Sequence, residues 1–98
     1  MPIQYSLYVV KKGGASKERT LVFDEAGVQK LAACIKVIRE KKALSQEDVA
    51  HGAGISVSQV SRIERGLLNP TVSTIFCIAR SMQVPVADLF QFELDFEK

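Results

Sequence analysis

The chain is short of the residues that carry chemistry. It has one histidine and two cysteines in 98 residues, and no two of the three lie close together. Cys34 sits in AACIKVI and Cys77 in TIFCIAR, with no CxxC pair and no clustered histidine beside either. That spacing argues against a zinc motif or a disulfide pair; the two read as small buried apolar residues of a chain kept in a reducing compartment. His51 has no sequence neighbour that would make it a ligand or a proton shuttle, and reads as a surface helix position. A Gly-rich phosphate loop, a metal-ligand cluster and a nucleophile with a recognisable base are all missing. No catalytic residue, no metal and no cofactor is therefore expected, and the chain does not read as an enzyme.

Long apolar runs are missing too. No stretch approaches the ~18 consecutive apolar residues of a membrane span. The opening MPIQYSLYVVKKGG has no basic region before its apolar patch and no cleavage site after a sustained apolar stretch, so it does not read as a signal peptide. A cytoplasmic chain with no membrane partner is the expectation. Internal repeats and low-complexity tracts are absent as well.

What is present is ordinary globular composition, 47% apolar and 24% charged, in a length suited to one small core. The net charge of +2 hides an asymmetry. Residues 1–87 carry 12 Lys/Arg against 7 Asp/Glu, whereas residues 88–98 carry 1 against 4, so a +5 body bears a −3 tail. A basic body suits a polyanionic partner, although an excess of this size also serves solubility.

The periodicity divides the chain into three parts. In residues 3–10, IQYSLYVV, apolar and polar positions alternate with the period of a strand; KKGGASKE interrupts, and RTLVF resumes a β-rich run. This predicts an N-terminal β-hairpin extension over residues 1–24. From about Glu25 to Lys42, Val28, Leu31, Ala32, Ile35 and Ile38 keep helical spacing, the mark of an amphipathic helix. Ser45 with Asp48, and Ser56 with Gln59, form two capping-box patterns, each starting a helix. Gly54 lies between them where the chain turns, and Val49, Ile55, Val60 and Ile63 point inward. Gly66 ends the second of these helices, LLNPT is a loop, and Thr71 caps a helix with Val72, Ile75, Ile78, Ala79 and Met82 as its buried stripe. VADLF gives a fifth, short helix. Phe90, Phe92, Leu94 and Phe96 then alternate with polar residues, which predicts a C-terminal strand within an acidic, aromatic tail over residues 91–98.

Residues 46–65 carry the motif. Gln46, Ala50, Gly54, Val60 and Ile63 stand at positions 1, 5, 9, 15 and 18 of a helix-turn-helix pattern. Helical geometry leaves Val57, Ser58, Ser61, Arg62 and Arg65 facing outward once Val60 and Ile63 enter the core. Small side chains there let a helix sink into a groove about 12 Å wide, with hydroxyls for base edges, Val57 for a thymine methyl and Arg62 for a bidentate guanine contact. Gln46 lies at the first turn of its helix, where unpaired amides and the positive dipole end favour an anion such as phosphate.

IREKKALSQEDVA, GISVSQVSRIERG, the NPT loop and VPVADLF together resemble the phage repressor and Cro-type helix-turn-helix proteins, often called the Xre family, from about Leu31 to Phe90. The resemblance implies a mostly α, five-helix lambda-repressor-like DNA-binding domain over residues 25–90, its third helix in the major groove, acting as a homodimer on a pseudo-palindromic operator. It places Ser56, Val57, Ser58 and Arg62 at base-reading positions, with Gln59 and Ser61 beside them. It also assigns Gln46, Asn69 and Thr71 to backbone phosphate, and basic, outward-facing Arg65 joins that set. Family members with this pattern join the equivalents of Arg39 and Glu64 in a structural ion pair. The two terminal strand patterns are too short to stand alone. They are expected to form a small sheet, within one subunit or between two, that contributes to the dimer. The functional expectation is a sequence-specific transcriptional regulator, most simply a nucleoid-associated repressor or autoregulator, with double-stranded DNA as partner and no small-molecule effector indicated. The alternative is an antitoxin or bridging protein that binds a protein partner through the same domain.

Overall fold

The computed structural model describes residues 22–96. Four α-helices follow one another: α1 (Glu25–Lys41), α2 (Gln46–Ala53), α3 (Val57–Glu64) and α4 (Val72–Met82), with a 3-10 helix at Val86–Phe90 after them. Each α-helix starts on an oxygen-bearing side chain that accepts a bond from a backbone amide of the first turn. Asp24 serves Gly27, Ser45 serves Asp48, Ser56 serves Gln59 and Thr71 serves Thr74. Each also ends in the same way, with a left-handed residue just past the helix: Ala43, Gly54, Gly66 and Gln83. The amide one residue further on reaches back five residues to a helix carbonyl, as in Ile55 to Ala50 and Leu67 to Arg62, which closes the last turn.

These boundaries leave short helices that only a shared core can hold. Helices of eight residues are unstable alone in water. α2 lies at the centre, packed on α3 and α4, while α1 reaches α3 and the 3-10 helix. Ile35, Val49, Val60, Ile63, Ile78, Met82 and Leu89 are all nearly sealed from solvent. Burial of side chains of this size contributes about 1.5–3 kcal/mol each. Gly52 faces α4 closely: a Cβ there would lie 2.9 Å from the Cβ of Ser81. Any larger residue would push the two helices apart.

The fifth helix is a 3-10 turn, not an α-helix: Pro85 precedes it and lacks an amide, and Asp88 bonds back to Pro85 over three residues. Its Leu89, unlisted among the expected core, is fully buried. Val72 is 65% exposed, because the first turn of α4 projects beyond the core, and Ile75 is the first residue of its stripe to be buried. Only half of the second capping box forms, since Ser56 accepts from Gln59 without a return bond from the Gln59 side chain. Both cysteines are free and half-buried.

The expected C-terminal strand is not formed. Residues 91–96 hold no strand among the described residues. The segment instead lies along α1, with Phe92 packed against the core, Lys30 Nζ donating to the Glu93 carbonyl at 2.5 Å, and Leu94 close to Gly27. Of the alternating apolar residues only Phe92 packs on the core, while Phe90, Leu94 and Phe96 stay exposed. The predicted hairpin lies outside the described residues apart from Val22 and Phe23, which are not in a strand.

Candidate nucleic-acid interface

The α2–α3 unit is built by local signals that agree with one another. Ser45 and Asp48 complete a reciprocal box: the Ser45 hydroxyl accepts from the Asp48 amide at 2.9 Å, and the Asp48 carboxylate accepts from the Ser45 amide at 2.8 Å. The Ser45 amide and hydroxyl hold the Asp48 carboxyl below its ordinary range, because both stabilise the charged form. Gly54 then takes φ 76° and ψ 30°, the left-handed turn that lets α3 leave α2. Residues with a Cβ enter that region only at a cost.

α3 has two unlike sides. Val60 and Ile63 are buried, while Ser56, Val57, Ser58, Arg62 and Arg65 are exposed, with Val57 40% open to solvent. Gln59 and Ser61 are half-buried on the flanks. Arg62 has no hydrogen-bond or ion-pair partner among the described residues, so its guanidinium is available to an outside acceptor. Arg65 Nε donates to the Ser61 carbonyl at 3.4 Å, a long bond that places it across the last turn. The Ser56 hydroxyl accepts from the helix and keeps its own proton for a further acceptor.

The helix starts differ in charge. Glu47 and Asp48 occupy the first turn of α2, whereas α3 and α4 have no acidic residue in theirs. An acid in the first turn offsets the positive end of the helix dipole, and its absence leaves that end to an external anion. Asn69 and Thr71 are both exposed beside the start of α4. The Thr71 hydroxyl is engaged locally, accepting from the Thr74 amide at 3.1 Å and donating to Thr74 Oγ1 at 3.1 Å.

Behind α3 lies a partly buried polar network. Arg39 on α1 donates to Glu64 on α3 through Nε to Oε2 at 2.6 Å and Nη2 to Oε1 at 3.0 Å, and through Nη1 to the Leu44 carbonyl at 2.8 Å. The side chains are 12% and 3% exposed. The bonds to Glu64 raise the Arg39 pKa further above its ordinary value, since they favour the charged guanidinium more than burial opposes it. Gln46 joins this pair: its Nε2 donates to Glu64 Oε1 at 3.0 Å. Sequence reasoning kept Gln46 apart from Arg39 and Glu64. Only the packing of α2 against the end of α3 brings the three together.

The comparisons with known proteins agree with this geometry. The helix-turn-helix family HTH_3 matches residues 35–89. The HTH-type transcriptional regulator DdrOP3 of Deinococcus deserti is 34% identical over 62 residues, covering 63% of this chain. The chain spans about half the length of that relative, 48%. Among solved structures, the restriction-modification controller protein C.AhdI from Aeromonas hydrophila superposes with a TM-score of 0.65 at 31% identity, covering 66% of this chain and 98% of that one. The tetramer of controller protein C.Esp1396I in complex with its natural 35 base-pair operator gives a TM-score of 0.62 at 30% identity, over 65% of this chain and 84% of that one. The family model matches residues 35–89, more than half of the chain, and the chain belongs to the helix-turn-helix family.

Proposed function

We propose that this protein is a sequence-specific, double-stranded-DNA-binding transcriptional regulator acting in the cytoplasm, with α3 in the major groove. The single observation that carries the reading is the outer side of α3, where small hydroxyl side chains and an Arg62 without a partner among the described residues stand on a helix whose other side is locked in the core. Ser56, Val57, Ser58 and Arg62, flanked by Gln59 and Ser61, would read base edges, and Arg62 suits the O6 and N7 of guanine. Gln46, Arg65, Asn69 and Thr71 would hold the sugar-phosphate backbone and set register without reading sequence. The start of α4, which carries no acidic residue in its first turn, is electrostatically the better phosphate seat than the start of α2. A DNA-binding domain at residues 25–90, with flanking segments at 1–24 and 91–98, remains the proposed organisation.

A homodimer is part of the same reading. C.Esp1396I is described as a tetramer on its operator. Here Val72, Phe76, Val86 and Phe90 expose apolar surface on α4 and the 3-10 helix, with Phe76 44% open, an area suited to a second copy of the chain. Two copies related by a twofold axis would meet half-sites about one helical turn apart. The test is footprinting on the DNA upstream of the protein's own gene, at fixed salt with scrambled competitor. A protected pair of half-sites supports the proposal, and binding that ignores sequence rejects it.

A further inference from the structure

We infer that Glu64 is a positioning residue for DNA binding: it anchors the Gln46 amide so that the second Nε2 proton faces a backbone phosphate. This rests on the reading of α3 as a DNA-binding helix and adds to it a role for a residue that touches no DNA.

The argument starts from donors and acceptors. A glutamine amide has two N–H donors and one carbonyl oxygen. One Gln46 donor is spent on Glu64 Oε1 at 3.0 Å, and Gln46 is half-buried, so its amide plane is held by the end of α3. The remaining proton then has a defined direction instead of the freedom of a surface glutamine. Losing that freedom beforehand removes an ordering cost from the bound state. Glu64 by itself would repel a phosphate. Arg39 cancels this charge through both carboxylate oxygens, at 2.6 and 3.0 Å, and is buried enough to be shielded from solvent. The Asp48 carboxylate is likewise turned back onto the Ser45 amide at 2.8 Å. Glu64 ends the same helix that carries Arg62. A phosphate held by Gln46 would therefore be tied directly to the register of the base-reading side chains.

A structural role for Glu64 and a positioning role separate in a mutant cycle, because coupled residues show non-additive losses. Replacing both partners of an ion pair withdrawn from water by apolar residues is often near neutral for stability, so Arg39→Leu with Glu64→Leu in this partly buried pair removes the anchor while sparing the fold. Affinities are measured at fixed salt for a duplex bearing the footprinted site and for a scrambled duplex of equal length, with circular dichroism on each variant. Gln46→Ala should lose about five- to tenfold on both duplexes, the scale of one solvent-accessible hydrogen bond. The Arg39→Leu/Glu64→Leu chain should lose most of that factor, and adding Gln46→Ala to it should cost little more. The preference for the footprinted site over the scrambled one should stay constant throughout. Losses that multiply, a double-leucine chain that binds as tightly as the natural one, or a silent Gln46→Ala each overturn the inference. If the double-leucine chain folds poorly, Arg39→Met with Glu64→Met, which likewise removes the acceptor and the charge together, takes its place in the same cycle. Failure of the natural chain to prefer any duplex overturns the functional reading instead, and is seen before any variant is made.

Discussion

The helix-turn-helix unit and the segment after the 3-10 helix began as equally regular patterns and ended differently. In residues 45–66 the caps, the left-handed glycines and the buried Val49, Val60 and Ile63 all require the same two helices. In residues 90–96 the alternation of Phe90, Phe92, Leu94 and Phe96 is as clean, yet the described chain lies along α1 with no strand. The difference is where the hydrogen bonds come from. A helix satisfies its backbone within the segment, and its caps finish the ends. A strand must borrow its bonds from a neighbour, so its pattern specifies one apolar side and leaves open what that side rests on.

The comparison breaks most readily at Glu64. Glu64→Ala leaves the partly buried Arg39 without its carboxylate and should cost up to about 3 kcal/mol, short of the loss for a fully buried pair, read from thermal or urea unfolding. An unchanged melt would mean that the pair does not tie α3 to α1. Arg62→Ala should behave in the opposite way, with unfolding unchanged within about 0.5 kcal/mol and discrimination at one base pair reduced by about 1–3 kcal/mol in competition binding. Phe92→Ala probes the other region. Its ring is half-buried, so a loss of about 1–2 kcal/mol is expected, below the range for a fully buried aromatic ring. A neutral result would mean that the segment only rests on α1.

The smallest effect concerns the first cap. The Asp48 carboxyl is depressed in the fold, so its contribution to stability is complete above its unfolded pKa, roughly 3.9. It is lost as pH falls through the lower folded value. Melting temperatures of the natural chain and Asp48→Asn should differ at neutral pH and converge in strong acid. A difference that persists unchanged in acid would place the effect elsewhere than in the carboxylate.

Legibility followed the same division. The starts of all four α-helices, the turn at Gly54 and most of the core could be read directly, because caps and 3.6-residue periodicity are local. Leu89 was missed because a five-residue turn is too short to show a period, and Val72 was overcounted because a stripe does not reveal how far a helix projects past its neighbours. The outward set on α3 followed from its two buried residues except at Ser61, which is half-buried on the flank. The bond from Gln46 to Glu64 had no signal in the sequence, since 18 positions separate the two.

Residue order alone determined where each α-helix begins and which residues of α3 stay out of the core. Those properties depend on neighbours within a few positions, where one residue's geometry constrains the next. Tertiary structure alone decided that the C-terminal segment rests on α1 and that Arg39, Glu64 and Gln46 share one carboxylate. Contacts between distant residues depend on which surfaces remain uncovered after the helices pack, and no local pattern encodes that.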